Sequence, residues 1–145
     1  LSLLTLNFLT HKTVFSTVSF NETIPNLRHE DTLFSYNLKQ QKINIIHIEN
    51  PVYHLGLDDF EVAIKKENES ILGLKYLINH QLLPTEYVRL SKIAAKIKKL
   101  KLNFAFAFFY KMTRSIFLKN ISSNNPSLFI FDLYRLGNLC NLNSK

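Results

Sequence analysis

The sequence predicts an α/β fold: one small domain over residues 1–82, continued by a basic helical extension over residues 83–145. Three observations lead there. Lys42 to Glu49 is nearly continuous in isoleucine, the pattern of a strand buried on both faces. The segments around it carry helix-start signals followed by apolar residues at three- and four-residue spacing. The charge is also unevenly placed: residues 1–70 hold six Lys/Arg against nine Asp/Glu, net −3, whereas residues 71–145 hold twelve against two, net +10. The first half reads as a folded core and the second as a surface that meets anions.

Taken in order, Leu3 to Leu9 is an apolar strand, and Thr13 to Phe20 continues as extended chain or a short helix and strand. Pro25 and its polar neighbours make Asn21 to Leu27 a loop. A helix follows from about His29 to Gln41, with Leu33, Phe34 and Leu38 on its apolar face and Glu30 and Asp31 in its first turn. Asn50-Pro51 ends the isoleucine strand, and Gly56 permits a sharp turn. Asp58, with Glu61 three residues on, reads as the cap of a helix reaching about His80. Pro84 closes that element.

In the basic half, Leu90, Ile93, Ile97, Leu100 and Phe104 fall on one stripe of a helix from about Glu86 to Asn103, edged by Arg89 and lysines. A run of aromatics from Phe104 to Tyr110 follows, then a loop over 120–127 and a last helix over about 128–136. The basic helix with its aromatic run is expected to dock peripherally on an anionic membrane surface. The alternative is a stripe packed on the core with solvated lysines. Nucleic acid is disfavoured as a partner, because the phenylalanines cluster and do not alternate with the lysines.

Composition excludes several classes. One cysteine, Cys140, rules out a disulfide framework and a four-cysteine zinc site. Three glycines cannot build a glycine-rich phosphate loop. No run approaches the roughly 20 apolar residues of a spanning helix, and the opening residues lack a signal-peptide pattern. The expected location is cytoplasmic, peripheral on the inner face of a membrane. The sequons at Asn21, Asn68 and Asn120 are accounted for by the abundance of asparagine.

Chemistry-bearing residues gather in the acidic half. His29-Glu30-Asp31-Thr32 stands at a helix start, and Asn50-Pro51-Val52-Tyr53-His54-Leu55-Gly56 follows the isoleucine run. A carboxylate in a first turn is stabilised as an anion by unpaired backbone N–H groups and the helix dipole, which suits a general base. An imidazole such as His54 can ligate a divalent ion. The plainer reading is that Glu30 and Asp31 only stabilise a helix start.

The order Asn7-Phe8-Leu9, Phe20-Asn21-Glu22, His29-Glu30-Asp31-Thr32-Leu33-Phe34, Ile43 to Ile48, then Asn50-Pro51-Val52-Tyr53-His54-Leu55-Gly56 resembles the C-terminal half of a bacterial family 2 glycosyltransferase catalytic domain. The resemblance covers about residues 1–80. It implies a partial GT-A fold and inverting transfer from a nucleotide-sugar donor to a hydroxyl of a cell-surface glycan or lipid-linked acceptor. It also implies Asp31 as catalytic base with Glu30 beside it, His29 and Asn7 at the acceptor, and His54 near a divalent metal (Mn or Mg) and diphosphate. That family's Asp-x-Asp does not occur in these 145 residues. A chain holding the acceptor side without the donor half is therefore expected, and by itself it is expected not to turn over. A different class of function stands beside this one: a non-catalytic module that binds a membrane surface or a partner.

Overall fold

A computed structural model describes residues 7–24, 28–53, 55, 56 and 58–144. Six helices are found among them: α1 (Lys12–Thr17), α2 (Glu30–Gln40), α3 (Phe60–Asn79), α4 (Arg89–Lys99), α5 (Asn103–Ile121) and α6 (Leu128–Leu142). The fold is all-helical, with no strand among the described residues. This overturns the expected α/β, GT-A-like class.

The physical reason lies in the isoleucine segment. A strand exists only when its backbone N–H and C=O groups meet a neighbouring chain in a ladder, and residues 43–53 are unpaired, irregular chain. Ile43 and Ile45 pack against Phe34 and Leu38, while Ile46 and Ile48 are 83% and 77% exposed. The segment is buried on neither face along most of its length. Of the expected first strand, residues 1–6 lie outside the described residues, and Asn7 to Leu9 is irregular.

Three helices stop in the same way, without glycine. After α2, α3 and α4 the backbone turns left-handed at Lys42 (φ 56°), Gln81 (φ 57°) and Lys101 (φ 59°). In each case two backbone N–H groups reach back to the last turn. Lys42 bonds Lys39 and Ile43 bonds Leu38; Gln81 bonds Ile78 and Leu82 bonds Leu77; Lys101 bonds Lys98 and Leu102 bonds Ile97. This is the double-bonded Schellman ending, with an apolar residue just beyond the left-handed one. A side chain in that conformation costs roughly 1–2 kcal/mol relative to the right-handed region, which the two hydrogen bonds and the apolar contact offset.

The third of these endings divides the apolar stripe expected to run unbroken from Leu90 to Phe104. Ala94 and Ile97 are buried with Ile71, Leu139 and Cys140, and Leu90 and Ile93 pack on the same cluster. At the end of α4 Leu100 is exposed, and beyond the turn so is Phe104. The stripe of α4 therefore faces the core.

α6 is the organising helix, packed on α3, α4 and α5. Its contact with α5 is close because Gly137 faces Tyr110. A Cβ at position 137 would stand 2.7 Å from the Cβ of Tyr110, well inside van der Waals contact. Tyr134 is fully buried, and its hydroxyl donates to Asn68 Oδ1 at 2.8 Å, as does Asn138 Nδ2. Asn68 thus clamps α3 to α6, with Arg135 Nε donating to Glu67 Oε1 at 2.6 Å beside it. Cys140 is fully buried in this packed helix. Burial pushes its thiol pKa up to about 11, so at neutral pH it is protonated and weakly nucleophilic.

At the other end of the molecule, α2 packs on α3 through Leu33, Leu74 and Leu77, with Ile24 and Leu83. Its opposite side carries an aromatic cluster. Phe20 stacks on Phe34 with centroids 4.3 Å apart, and Phe15 and Phe8 follow at 5.8 and 6.3 Å. Through Phe8, Ile43 and Ile45, the segments holding Asn7 and the isoleucine run both rest on α2.

Candidate functional site at the start of α2

His29 precedes α2 in the left-handed conformation, φ 66° and ψ 17°. That kink turns the chain sharply into the helix and leaves Glu30 and Asp31 in the first turn. A non-glycine residue held there is strained, and such residues persist only where surrounding contacts over-determine them. Here the contacts are visible. His29 Nε2 and Ser70 Oγ of α3 are 3.0 Å apart, and His29 Nδ1 and Thr32 Oγ1 are 3.1 Å apart.

The chain of contacts continues to the carboxylate. Asp31 Oδ1 accepts from the Thr32 backbone N–H at 2.7 Å and from the Thr32 hydroxyl at 3.3 Å. One proton arrangement satisfies every donor: Ser70 donates to Nε2, Nδ1–H donates to Thr32, and Thr32 donates to Asp31. Asp31 Oδ2 has no hydrogen-bond partner among the described residues, and Asp31 is half-buried. Among the described residues, then, the carboxylate is held through one oxygen only.

Burial lowers the His29 pKa below its ordinary 6.5. The Asp31 charge opposes that shift, the Arg135 charge adds to it, and a hydrogen bond with the Ser70 backbone opposes it. The folded state therefore favours neutral imidazole. Its contribution to stability is fully present above pH 6.5 and is lost as pH falls toward the lowered folded-state value, because the unfolded chain takes up the proton first. Denaturation midpoints measured from about pH 8 down to about pH 5 should fall for the native chain, and less steeply for His29→Gln. Equal slopes for the two proteins would remove His29 as the source.

The other expected site residues are placed as follows. Asn7 is exposed, and its Nδ2 donates to the backbone oxygen of Asn50 at 3.2 Å. This ties the first motif segment to the Asn-Pro-Val segment. Glu30 is half-buried beside Asp31. His54 lies outside the described residues. Among those residues, no three of His, Cys, Asp or Glu come together to hold a metal ion, so the expected Mn or Mg finds no ligand set in them. Asp58, expected to cap α3, instead receives Lys66 Nζ on both carboxylate oxygens at 2.7 Å. The helix starts one residue later, after Asp59, with no side-chain cap.

Two residues absent from the sequence-based site are central to its geometry: Ser70, forty-one positions from His29, and Thr32. Thr32 stood next to the expected pair, but nothing in the local pattern of α3 marks Ser70. Ser70 also lines a cleft of about 520 Å³ with Arg28, Ile64, Glu67 and Phe131. A larger cleft of about 770 Å³ lies toward the far end of α2, lined by Asn37, Gln40, Gln41 and Glu22. Neither is lined by Glu30 or Asp31. Among the described residues, no helix is long and apolar enough to cross a membrane. Comparison with protein-family models, with curated proteins and with solved structures finds no match to the chain.

Proposed function

We propose that these residues form the acceptor side of an inverting glycosyltransferase, with Asp31 as the general base. One observation carries the reading. Asp31 is anchored through Oδ1 to the first turn of α2, and among the described residues its Oδ2 has no hydrogen-bond partner, as suits a base that must receive a proton from an incoming hydroxyl. The kinked His29 and its Ser70 contact hold the turn in place, so the carboxylate need not reorganise when an acceptor arrives.

The chemistry assigned to this geometry is a single displacement. The acceptor hydroxyl hydrogen-bonds to Asp31 Oδ2, and its oxygen forms a bond to the anomeric carbon. The bond from that carbon to the diphosphate oxygen breaks on the opposite face, and the leaving nucleoside diphosphate keeps the electron pair. The hydroxyl proton passes to Asp31. The partners are then a nucleotide-sugar donor and a glycan or lipid-linked acceptor. His29 serves as a positioning residue, since both its ring nitrogens are engaged within the fold.

Titration of isotopically labelled chain with a panel of neutral and acidic oligosaccharides tests the acceptor side. At least one class should shift the backbone amide signals of residues 29–33, with the largest changes at Glu30 and Asp31. Saccharide-induced shifts confined to other parts of the chain, or none across the panel, would overturn the assignment.

A further inference from the structure

α5 has an outward face that none of the described residues covers. Asn103, Ala107, Tyr110 and Phe117 point inward and are buried. On the opposite side Phe104, Phe108, Phe109, Met112 and Ile116 are 51–73% exposed. At 100° per residue these five lie on one stripe, about 18 Å long at 1.5 Å per residue. A contiguous aromatic and aliphatic stripe of that length is an interaction surface.

Charge decides which partner it fits. Residues 86–121 carry nine Lys/Arg against the single acid Glu86. Lys92, Lys96, Lys98, Lys99 and Lys101 on and just after α4, with Lys111 and Lys119 on α5, are exposed, and none of them forms an ion pair among the described residues. A second copy meeting this face would bring like charge onto like charge. An anionic partner is favoured, and one that also accepts apolar rings without demanding a matched pocket.

We infer that the outward face of α5 docks on an anionic lipid surface, with the five apolar side chains entering the boundary between headgroups and acyl chains. The lysine stems lie along the interface and their ammonium groups meet lipid phosphates. α5 carries the contact and α4 contributes charge alone, since its apolar stripe is spent on the core. The helix lies in the plane of the surface and does not cross it.

Co-sedimentation of the whole chain with phosphatidylcholine vesicles, with and without about one-third phosphatidylglycerol, tests this. Binding is expected to the anionic vesicles only and to weaken as salt screens the lysines. Phe108→Ser with Met112→Ser should lower the partition coefficient about tenfold or more. Both side chains are exposed, so the thermal midpoint should stay close to that of the native chain. Lys111→Glu with Lys119→Glu should weaken binding without touching the apolar stripe. Four results would overturn the inference: no binding to anionic vesicles; binding indifferent to anionic lipid and salt; a dimer, without vesicle binding, that Phe108→Ser dissociates; or retention by a single-stranded oligonucleotide in place of vesicles.

Discussion

Asp31→Asn is expected to lower sugar transfer about 10³-fold in any polypeptide that joins these residues to a nucleotide-sugar site, while leaving donor affinity within about twofold. The substitution is nearly isosteric. The Asn oxygen can take over the hydrogen bonds that Asp31 Oδ1 accepts from Thr32, so the turn and its contact with Ser70 survive. What changes is the other corner: an amide nitrogen stands where Oδ2 was, and it cannot take a proton. A rate loss of that size corresponds to about 4 kcal/mol of transition-state stabilisation. The accompanying loss of helix-dipole stabilisation is at most about 2 kcal/mol for a half-buried carboxylate, so thermal stability separates the two effects. Steady-state kinetics with a saturating donor gives the measurement. Activity within a few-fold of the native protein would remove Asp31 from the base role, and the plainer reading, a carboxylate that only stabilises a helix start, would stand.

The parts of the molecule legible in its sequence are those fixed by local chemistry. The start of α2 is within one residue of its expected place, because Glu30 and Asp31 in a first turn and Leu33, Phe34 and Leu38 at helical spacing are all local signals. The end of α3 is likewise marked within a residue. Failures arise where the deciding partner is remote or absent. Lys42 to Glu49 has the composition of a central strand, but composition does not supply a neighbouring strand, and without a ladder the segment is irregular chain. The break between α4 and α5 falls on Lys101, a residue that normally favours helix, so no glycine announces it. The same holds for the site. That His29, Glu30 and Asp31 stand at a helix start is a local signal, whereas the contact of His29 with Ser70 depends on how α2 and α3 pack. The α5 face reads in the sequence as part of a single amphipathic stripe with α4, and only the turn at Lys101 separates a buried half from an exposed one.

Phe34→Ala should be the most damaging single truncation near the site, costing about 3–5 kcal/mol. Phe34 is 1% exposed, and its ring meets Phe8, Phe15 and Phe20 at once. Removing it takes away both the buried area and the shared partner of three rings. A loss of that size is a large share of the roughly 5–15 kcal/mol that holds a typical domain folded. The consequence is local as well as global. Asn7 reaches Asn50 only because the segments on either side, through Phe8 and through Ile43 and Ile45, rest on the same face of α2. The variant should therefore lose amide protection first at residues 7–20, while α5 and α6, which pack through Tyr110, Phe117 and Tyr134, keep theirs until global unfolding. Hydrogen exchange resolved by residue, beside a denaturant titration, measures both. Uniform loss of protection would mean that the two ends of the molecule unfold as one unit. A cost below about 1 kcal/mol would mean that the aromatic cluster does not hold the first segment to α2. In the second case the Asn7–Asn50 tie would lose its structural basis, and the acceptor side would reduce to the start of α2 alone.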